Sequence, residues 1–125
     1  MEKAKGPQLV AVVDDDADMR QATENLLNSG GIRTAGYSSA ESFLRSRRAR
    51  TCACLVLDLY LPGLDGLGLC DALRKRGDTI PIILVTADRD RELHTKALAK
   101  GILGVLKKPF DGDALLQLVQ KALST

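Results

Sequence analysis

The most regular feature of the sequence is a set of short apolar runs separated by stretches with helical periodicity. Four of these runs are nearly continuous: Leu9 to Val13, Cys54 to Leu57, Ile82 to Val85, and Gly104 to Leu106. Continuous runs of this length are typical of strands that are buried on both faces of a parallel sheet. A fifth run, Ile32 to Gly36, alternates between apolar and polar residues and predicts an edge strand.

Between the runs, apolar residues recur every three or four positions, as they do on one face of an amphipathic helix. The stripe from Met19 to Leu27 predicts a first helix, with Asp16 as its N-cap and Gly30-Gly31 as its stop. The segment Ser38-Ser39-Ala40-Glu41 resembles a capping box that starts a short second helix. Further helices are expected around Leu67 to Leu73, Leu93 to Leu98, and Asp113 to Leu123.

The order of these elements is a strand followed by a helix, repeated five times. Right-handed crossovers then give an α/β fold in three layers, with helices on both faces of a five-stranded parallel sheet. A strand order of 2-1-3-4-5 corresponds to the doubly wound, flavodoxin-like arrangement. The length of 125 residues suits one domain. We therefore expect residues 1–125 to form a single domain, with its core from about 9 to 123.

The composition excludes several classes of protein. Apolar residues make up 45% and charged residues 27% of the chain, which is typical of a soluble globular domain. The net charge of +2 favours no particular partner, and 3% aromatic residues leave little surface for stacking bases. The basic stretch from Arg45 to Arg50 is explained more simply as a solvated helix end, where cations favour the helix dipole. Direct binding to nucleic acid is not expected.

The cysteines and the N-terminal residues predict a cytoplasmic location. Three cysteines, Cys52, Cys54 and Cys70, fit buried thiols in a reducing compartment better than a disulfide framework. A zinc site would need more ligands, because His94 is the only histidine. The first apolar run is too short for a signal peptide or a membrane span, so no membrane association is expected.

Acidic residues follow directly after two of the apolar runs. Asp14, Asp15 and Asp16 come after the first run, and Asp58 ends the run that starts at Cys54. Two carboxylates about 4 Å apart repel each other by roughly 4 kcal/mol at an effective dielectric constant of 20. A chain that gathers several of them is expected to hold a cation, a proton or a phosphoryl group there.

The carboxyl ends of parallel strands meet at one edge of the sheet, so the residues after each run should converge. Thr86 follows the fourth strand and Lys108 follows the fifth, which adds a hydroxyl and an ammonium to the carboxylates. Ligands of such sheets bind where the strand order reverses, here between the first and third strands. Asp14, Asp15 and Asp58 lie at the ends of those two strands.

This mixture of groups indicates phosphoryl chemistry assisted by a divalent cation. Magnesium prefers octahedral oxygen ligands, including one or two carboxylates. Asp58 as a nucleophile would form an acyl phosphate. The cation and the ammonium of Lys108 can neutralise the charge of a transferring phosphoryl group, and the hydroxyl of Thr86 can donate to it.

Four segments carry the motifs of a known family. They are Val12-Val13-Asp14-Asp15-Asp16, the stretch from Leu57 to Gly66, Val85-Thr86-Ala87, and Lys107-Lys108-Pro109-Phe110. Through these segments the chain resembles the receiver domains of response regulators in two-component signal transduction systems. The likeness extends from about Leu9 to Leu123.

The resemblance implies that Asp58 is the phosphoacceptor and that the donor is a phosphohistidine on a histidine kinase or a histidine phosphotransfer protein. It implies that Asp15, Asp58 and the backbone carbonyl of Tyr60 bind Mg²⁺ (or Mn²⁺), with Asp14 assisting directly or through water. Such a domain catalyses its own phosphorylation and dephosphorylation and is not an enzyme that turns over a separate substrate.

The resemblance also implies that Thr86 and Lys108 contact the phosphoryl group and that the Lys108–Pro109 peptide bond is cis. Two further positions, Tyr60 and Asp88, are expected to modulate hydrolysis of the acyl phosphate. Val105 departs from the family, which often has an aromatic switch residue there. The signal is then expected to pass through the loop after Thr86 or through changed dimerisation.

The resemblance is compatible with a homodimer through the fourth helix, fifth strand and fifth helix. It is also compatible with either a stand-alone receiver or the front of a longer regulator, whose C-terminal DNA-binding output domain would be absent from this chain. Two alternatives stay open. One is a haloacid-dehalogenase-like phosphatase with Asp14 as nucleophile and Asp16 as acid, although Asp18 stands where that family has Thr or Val. The other is a binding module that keeps the fold without being phosphorylated.

Overall fold

The computed structural model of the protein describes residues 8–87 and 91–124. Within these residues, five parallel strands form one sheet in the order β2-β1-β3-β4-β5. The strands are β1 (Leu9–Val13), β2 (Arg33–Tyr37), β3 (Cys54–Asp58), β4 (Ile82–Thr86) and β5 (Gly104–Lys107). The predicted fold class and strand order are confirmed, and the order reverses between β1 and β3.

Five helices connect and cover the strands. They are α1 (Ala17–Ser29), α2 (Ala40–Arg45), α3 (Gly66–Lys75), α4 (Arg91–Ala99) and α5 (Gly112–Leu123). A short 3₁₀ turn, Arg47–Arg50, follows α2 within the basic stretch. No helix in the described part of the chain has the length and apolar character that crossing a membrane requires.

The core consists of two apolar layers, one on each face of the sheet, because alternate strand residues point to opposite faces. On one face, Val10, Val12 and Val56 pack with residues of α1 and α5, among them Leu27, Leu115 and Val119. On the other face, Ala11, Leu55 and Leu57 pack with residues of α2, α3 and α4, among them Phe43, Leu69 and Ala97. The two layers bury both faces of the central strands, as the continuous apolar runs predict.

Two details differ from the sequence-based expectations. The N-cap of α2 is Ser39 rather than Ser38, and its hydroxyl accepts the backbone N–H of Ser42 at 3.0 Å. Glu41 therefore lies at the second helical position, and the predicted capping box is wrong. In α4, Ala97 is buried whereas Leu98 is 54% exposed, so the apolar stripe is narrower than the sequence indicates.

The register of the strands positions the site. Val13 pairs with Leu57, so Asp14 and Asp58 leave the sheet side by side. Asp58 in turn pairs with Val85 of β4, and Thr86 pairs with Lys107 of β5. The ends of β1, β3, β4 and β5 thus form one continuous edge.

Candidate functional site

Three carboxylates meet at the edge where β1 and β3 end. Asp14 and Asp15 follow β1 and Asp58 is the last residue of β3, and one oxygen from each lies within 4.8 Å of the others. Asp14 is buried, Asp58 is partly buried and Asp15 is exposed. This graded burial leaves one side of the cluster open to solvent. Three hard oxygen donors at this spacing fit a divalent cation such as Mg²⁺.

Lys108 brings a positive charge to the same cluster. Its Nζ lies 3.1 Å from Oδ2 of Asp58 and 3.6 Å from Oδ2 of Asp14. The backbone N–H of Lys108 donates to the carbonyl of Thr86 at 2.7 Å, and the peptide bond to Pro109 is cis, as expected. The backbone of Lys108 is therefore held by the last residue of β4, while its ammonium faces the carboxylates of Asp14 and Asp58.

Burial and neighbouring charges shift the pKa of two of these groups. Burial raises the pKa of the Asp14 carboxyl above its usual range, although the backbone N–H of Asp16 and the charge of Lys108 act in the opposite direction. Burial alone would lower the pKa of the Lys108 ammonium. The hydrogen bond and negative charge of Asp58, together with those of Asp14, outweigh this effect, so the pKa is raised. Lys108 is thus positively charged at neutral pH.

Backbone N–H groups orient the carboxylates of Asp14 and Asp58. The N–H of Asp16 donates to Oδ1 of Asp14 at 2.9 Å, and the guanidinium of Arg20 donates to the carbonyl of Asp14 at 2.8 Å. The N–H of Tyr60 donates to Oδ1 of Asp58 at 3.2 Å, which leaves Oδ2 facing Lys108. The sequence gives no spacing signal for Arg20, and its role at the end of β1 is visible only in the structure.

Apolar side chains form the floor of the site. The recess that contains Asp14, Asp58 and Lys108 is also lined by Val12, Val56, Val85, Met19 and Phe110. Electrostatic interactions above such a floor are less screened by water than interactions on an open surface. Thr86, at the end of β4, is fully buried at the same edge.

Close packing of α3 against β3 supports the position of Asp58. A Cβ at Gly66 would lie 2.7 Å from the carbonyl oxygen of Asp58 and 2.8 Å from Cα of Leu59. The N–H of Gly66 donates to the carbonyl of Leu59 at 2.8 Å. Glycine is therefore required where the helix begins, a role that helix propensity alone does not reveal.

The remaining residues singled out from the sequence lie in different surroundings. Asp16 caps α1, accepting the N–H groups of Asp18 and Met19, as predicted. Its carboxylate is occupied there, which argues against a phosphatase that uses Asp16 as its acid. Tyr60 is 58% exposed beside Asp58, and Val105 is partly buried on the face of the sheet that α4 covers. Asp88 lies outside the described residues.

Comparison with known proteins agrees with this geometry. The model of the response regulator receiver domain family matches residues 10–120, and the chain belongs to that family. Receiver domains are signalling domains of two-component systems rather than enzymes with a separate substrate, and they bind Mg²⁺ at an acidic pocket.

Two curated relatives come from Bradyrhizobium diazoefficiens. Transcriptional regulatory protein FixJ is 32% identical over 114 residues, which cover 91% of this chain and 56% of FixJ. Nodulation protein W is 37% identical over 120 residues, which cover 96% of this chain and 53% of that protein. The chain thus spans about half the length of these relatives.

Among solved structures, the receiver domain of the Francisella response regulator 1452 is similar over nearly its whole length. It superposes with a TM-score of 0.88 at 28% identity, covering 94% of this chain and 97% of that one. The likeness therefore extends over most of the fold that positions the carboxylate cluster.

Proposed function

We propose that Asp58 accepts a phosphoryl group from a phosphohistidine on a histidine kinase or a histidine phosphotransfer protein, and that the reaction depends on Mg²⁺ or Mn²⁺. The observation that carries this proposal is the 3.1 Å contact of Asp58 with Lys108 inside a cluster of three carboxylates. In the transfer, an Asp58 oxygen forms a bond to phosphorus, the phosphorus–nitrogen bond breaks, and its electron pair leaves on the histidine nitrogen.

The residues that hold the metal ion are Asp15, Asp58 and the backbone carbonyl of Tyr60, with Asp14 assisting directly or through water. Their oxygen atoms are the ligand type that Mg²⁺ prefers, and three of the four residues already share one cluster. When bound, the cation supplies positive charge opposite the oxygens of the phosphoryl group.

Lys108 and Thr86 act on the phosphoryl group from the side of β4 and β5. The ammonium of Lys108 stabilises negative charge on the phosphoryl oxygens, and the hydroxyl of Thr86 donates a hydrogen bond to them. The backbone N–H of Lys108 donates to the carbonyl of Thr86, so the two residues are linked directly. This link offers a route by which phosphorylation alters the α4–β5–α5 surface, where Val105 replaces an aromatic switch residue.

Hydrolysis of the acyl phosphate is expected to depend on the residues that surround it. Tyr60 is exposed directly beside Asp58, and its ring can shield the phosphoryl group from water. Asp88 stays a second candidate for orienting or repelling the attacking water.

In the cell, we propose that residues 1–125 act as one receiver domain with its core from about 9 to 123, located in the cytoplasm. Phosphorylation would control homodimerisation through α4, β5 and α5. FixJ is named as a transcriptional regulatory protein and is longer than this chain. We propose that this receiver serves a DNA-binding output domain.

The test is incubation with acetyl phosphate and Mg²⁺, followed by intact mass measurement. We expect one added phosphoryl group on the wild-type protein and on Asp16→Asn, whose side chain is engaged in capping α1. The added mass should be absent from Asp58→Asn and from wild type in EDTA. A wild-type mass that does not change would favour the binding module that is not phosphorylated.

A further inference from the structure

The loop between β3 and α3, residues 59–65, carries Tyr60 and is fixed firmly at its base. The N–H of Leu59 donates to the carbonyl of Val85 at 3.0 Å, and the carbonyl of Leu59 accepts from Gly66 at 2.8 Å. The side chains of Leu59 and Leu61 are buried in the core. These contacts anchor the residues on either side of Tyr60, and the Leu64 side chain in the tip (residues 62–64) packs partly against the same core.

The backbone of the tip is hydrogen-bonded to a side chain of α2. The carboxylate of Glu41, in the first turn of α2, accepts the backbone N–H of Leu64 at 3.0 Å, across 23 positions of the chain. The N–H groups of Leu64 and of Glu41 itself hold the pKa of this carboxyl below its usual range. Glu41 is therefore charged at neutral pH, and hydrogen bonds to charged acceptors are stronger than those between neutral groups.

The glycine at position 63 leaves space in the loop for the Glu41 carboxylate. Gly63 has a φ angle of +76°, and a Cβ built on it would lie 2.6 Å from Oε2 of Glu41. A side chain at position 63 would thus both strain the backbone and push the carboxylate away. The glycine leaves room for the side chain that binds the next residue, Leu64.

The N-cap of α2 is a serine rather than Glu41. Ser39 caps the helix, and its hydroxyl and carbonyl also contact the hydroxyl of Ser42. The carboxylate of Glu41 accepts the N–H of its own residue as well as that of Leu64, so it links the start of α2 to the loop.

We propose that Glu41 is a positioning residue for the phosphoacceptor site, holding the 59–65 loop so that the Tyr60 backbone stays beside Asp58. The proposal rests on the proposed function in one respect, namely that the carbonyl of Tyr60 is a metal ligand. A ligand that is held in place before binding loses less conformational freedom when the cation arrives. Loss of the tip contact should therefore weaken metal binding without unfolding the domain.

The first test measures the hold of Glu41 on the loop in metal-free protein, by amide hydrogen exchange in NMR spectra. In Glu41→Ala we expect the Leu64 amide to exchange roughly tenfold faster or more, because its acceptor is gone. Glu41→Gln should retain most of the protection, since its amide oxygen can accept the same hydrogen bond. Asp113→Ala is the matched control, because Asp113 occupies the same second helical position in α5, on the other face of the sheet.

The second test measures Mg²⁺ affinity on the same four proteins by following backbone chemical shifts. We expect binding to Glu41→Ala to be about 3- to 10-fold weaker than to wild type, whereas Glu41→Gln and Asp113→Ala stay near wild type. Circular dichroism should show all four folded. If Glu41→Ala does not fold, Glu41→Asp, which is one methylene too short for the contact, replaces it.

Unchanged Leu64 exchange in Glu41→Ala would overturn the proposal, as would faster exchange with unchanged Mg²⁺ affinity. An equal loss in Glu41→Gln and Glu41→Ala would also contradict it. If wild type itself bound no Mg²⁺, the proposed function would fail and the metal part of this proposal with it. The exchange comparison would still decide whether Glu41 holds the loop.

Discussion

The ammonium of Lys108 lies 3.1 Å from Oδ2 of Asp58, although the two residues are 50 positions apart in the chain. Asp58 ends β3 and Lys108 follows β5, and these two strands are not neighbours because β4 lies between them. The contact is made above the end of β4, where the carbonyl of Thr86 holds the backbone of Lys108. The ammonium of Lys108 thereby compensates the charges of two carboxylates, Asp14 and Asp58, that would otherwise repel each other.

Removing the Lys108 ammonium should destabilise the domain when no metal is bound. In Lys108→Ala we expect the free energy of unfolding in EDTA to fall by about 1–2 kcal/mol, because Asp14 and Asp58 lose their shared counter-charge. Added Mg²⁺ should restore part of the loss. Urea unfolding with and without Mg²⁺ measures both effects, with Lys108→Arg as the control that keeps the charge. Equal midpoints for Lys108→Ala and wild type in EDTA would contradict this electrostatic account.

Removing a carboxylate from the cluster should have the opposite effect on stability. Asp14→Asn keeps the acceptor for the N–H of Asp16 but removes a buried charge that faces Asp58 and Asp15. We expect its free energy of unfolding in EDTA to rise by about 1 kcal/mol, and its Mg²⁺ affinity to fall. A lower unfolding midpoint in EDTA would show that Asp14 stabilises the fold rather than serving the site.

The two glycines at the start of α3 should respond differently to alanine. A Cβ at Gly66 meets the backbone of Asp58 and Leu59, whereas a Cβ at Gly68 meets the end of the Leu64 side chain, which can move. We expect Gly66→Ala to cost about 2 kcal/mol or more in urea unfolding. Gly68→Ala should be near neutral or stabilising by up to about 1 kcal/mol, because alanine favours helix. Equal effects of the two changes would contradict the close packing of α3 on β3.

The cysteine thiols should be protonated and slow to react in the folded protein. Burial raises the pKa of Cys52 and Cys70 to about 11 and that of Cys54 to about 12, from an ordinary value of 9.0. In mildly alkaline buffer, we expect iodoacetamide to modify the partly exposed Cys52 first and the buried Cys54 last. Peptide mass mapping over time gives the order, and alkylation of Cys54 as fast as Cys52 would contradict it.

The same shifts give the sign of the pH dependence at alkaline pH. The unfolded chain releases thiol protons from about pH 9, while the folded chain keeps them until about pH 11. The unfolded state therefore binds fewer protons than the folded state between about pH 9 and pH 11. The contribution of the thiols to stability is present below pH 9 and is lost as the pH rises through this window. Urea midpoints should fall there, and less steeply in a Cys70→Ala variant.

The fold could be predicted from the sequence because its strongest signals are local. Continuous apolar runs mark strands that are covered on both faces, and the run from Leu9 to Val13 became β1 without change of bounds. Right-handed crossovers limit the possible strand orders but do not choose among them, so the order 2-1-3-4-5 was an assumption that the structure confirms. Helix ends were less predictable, since Ser38 and Ser39 are both good N-caps and packing decides between them.

The site could be predicted only as a set of groups at one edge. The positions of the apolar runs placed Asp14, Asp58 and Lys108 at the ends of their strands. They contained no information on which carboxylate oxygens face the ammonium of Lys108. Contacts between elements far apart in the chain, such as Glu41 with Leu64, have no signature in the local pattern. Such contacts depend on tertiary packing, which the periodicity of one element does not encode.

The most direct test of the central claim is to locate the acyl phosphate chemically. The protein is treated with acetyl phosphate and Mg²⁺ and then with sodium borohydride, which reduces an aspartyl phosphate to the corresponding alcohol, and the product is mapped by peptide sequencing. We expect the reduced residue to be Asp58, with little modification elsewhere. Reduction at Asp14, or at no residue, would contradict it.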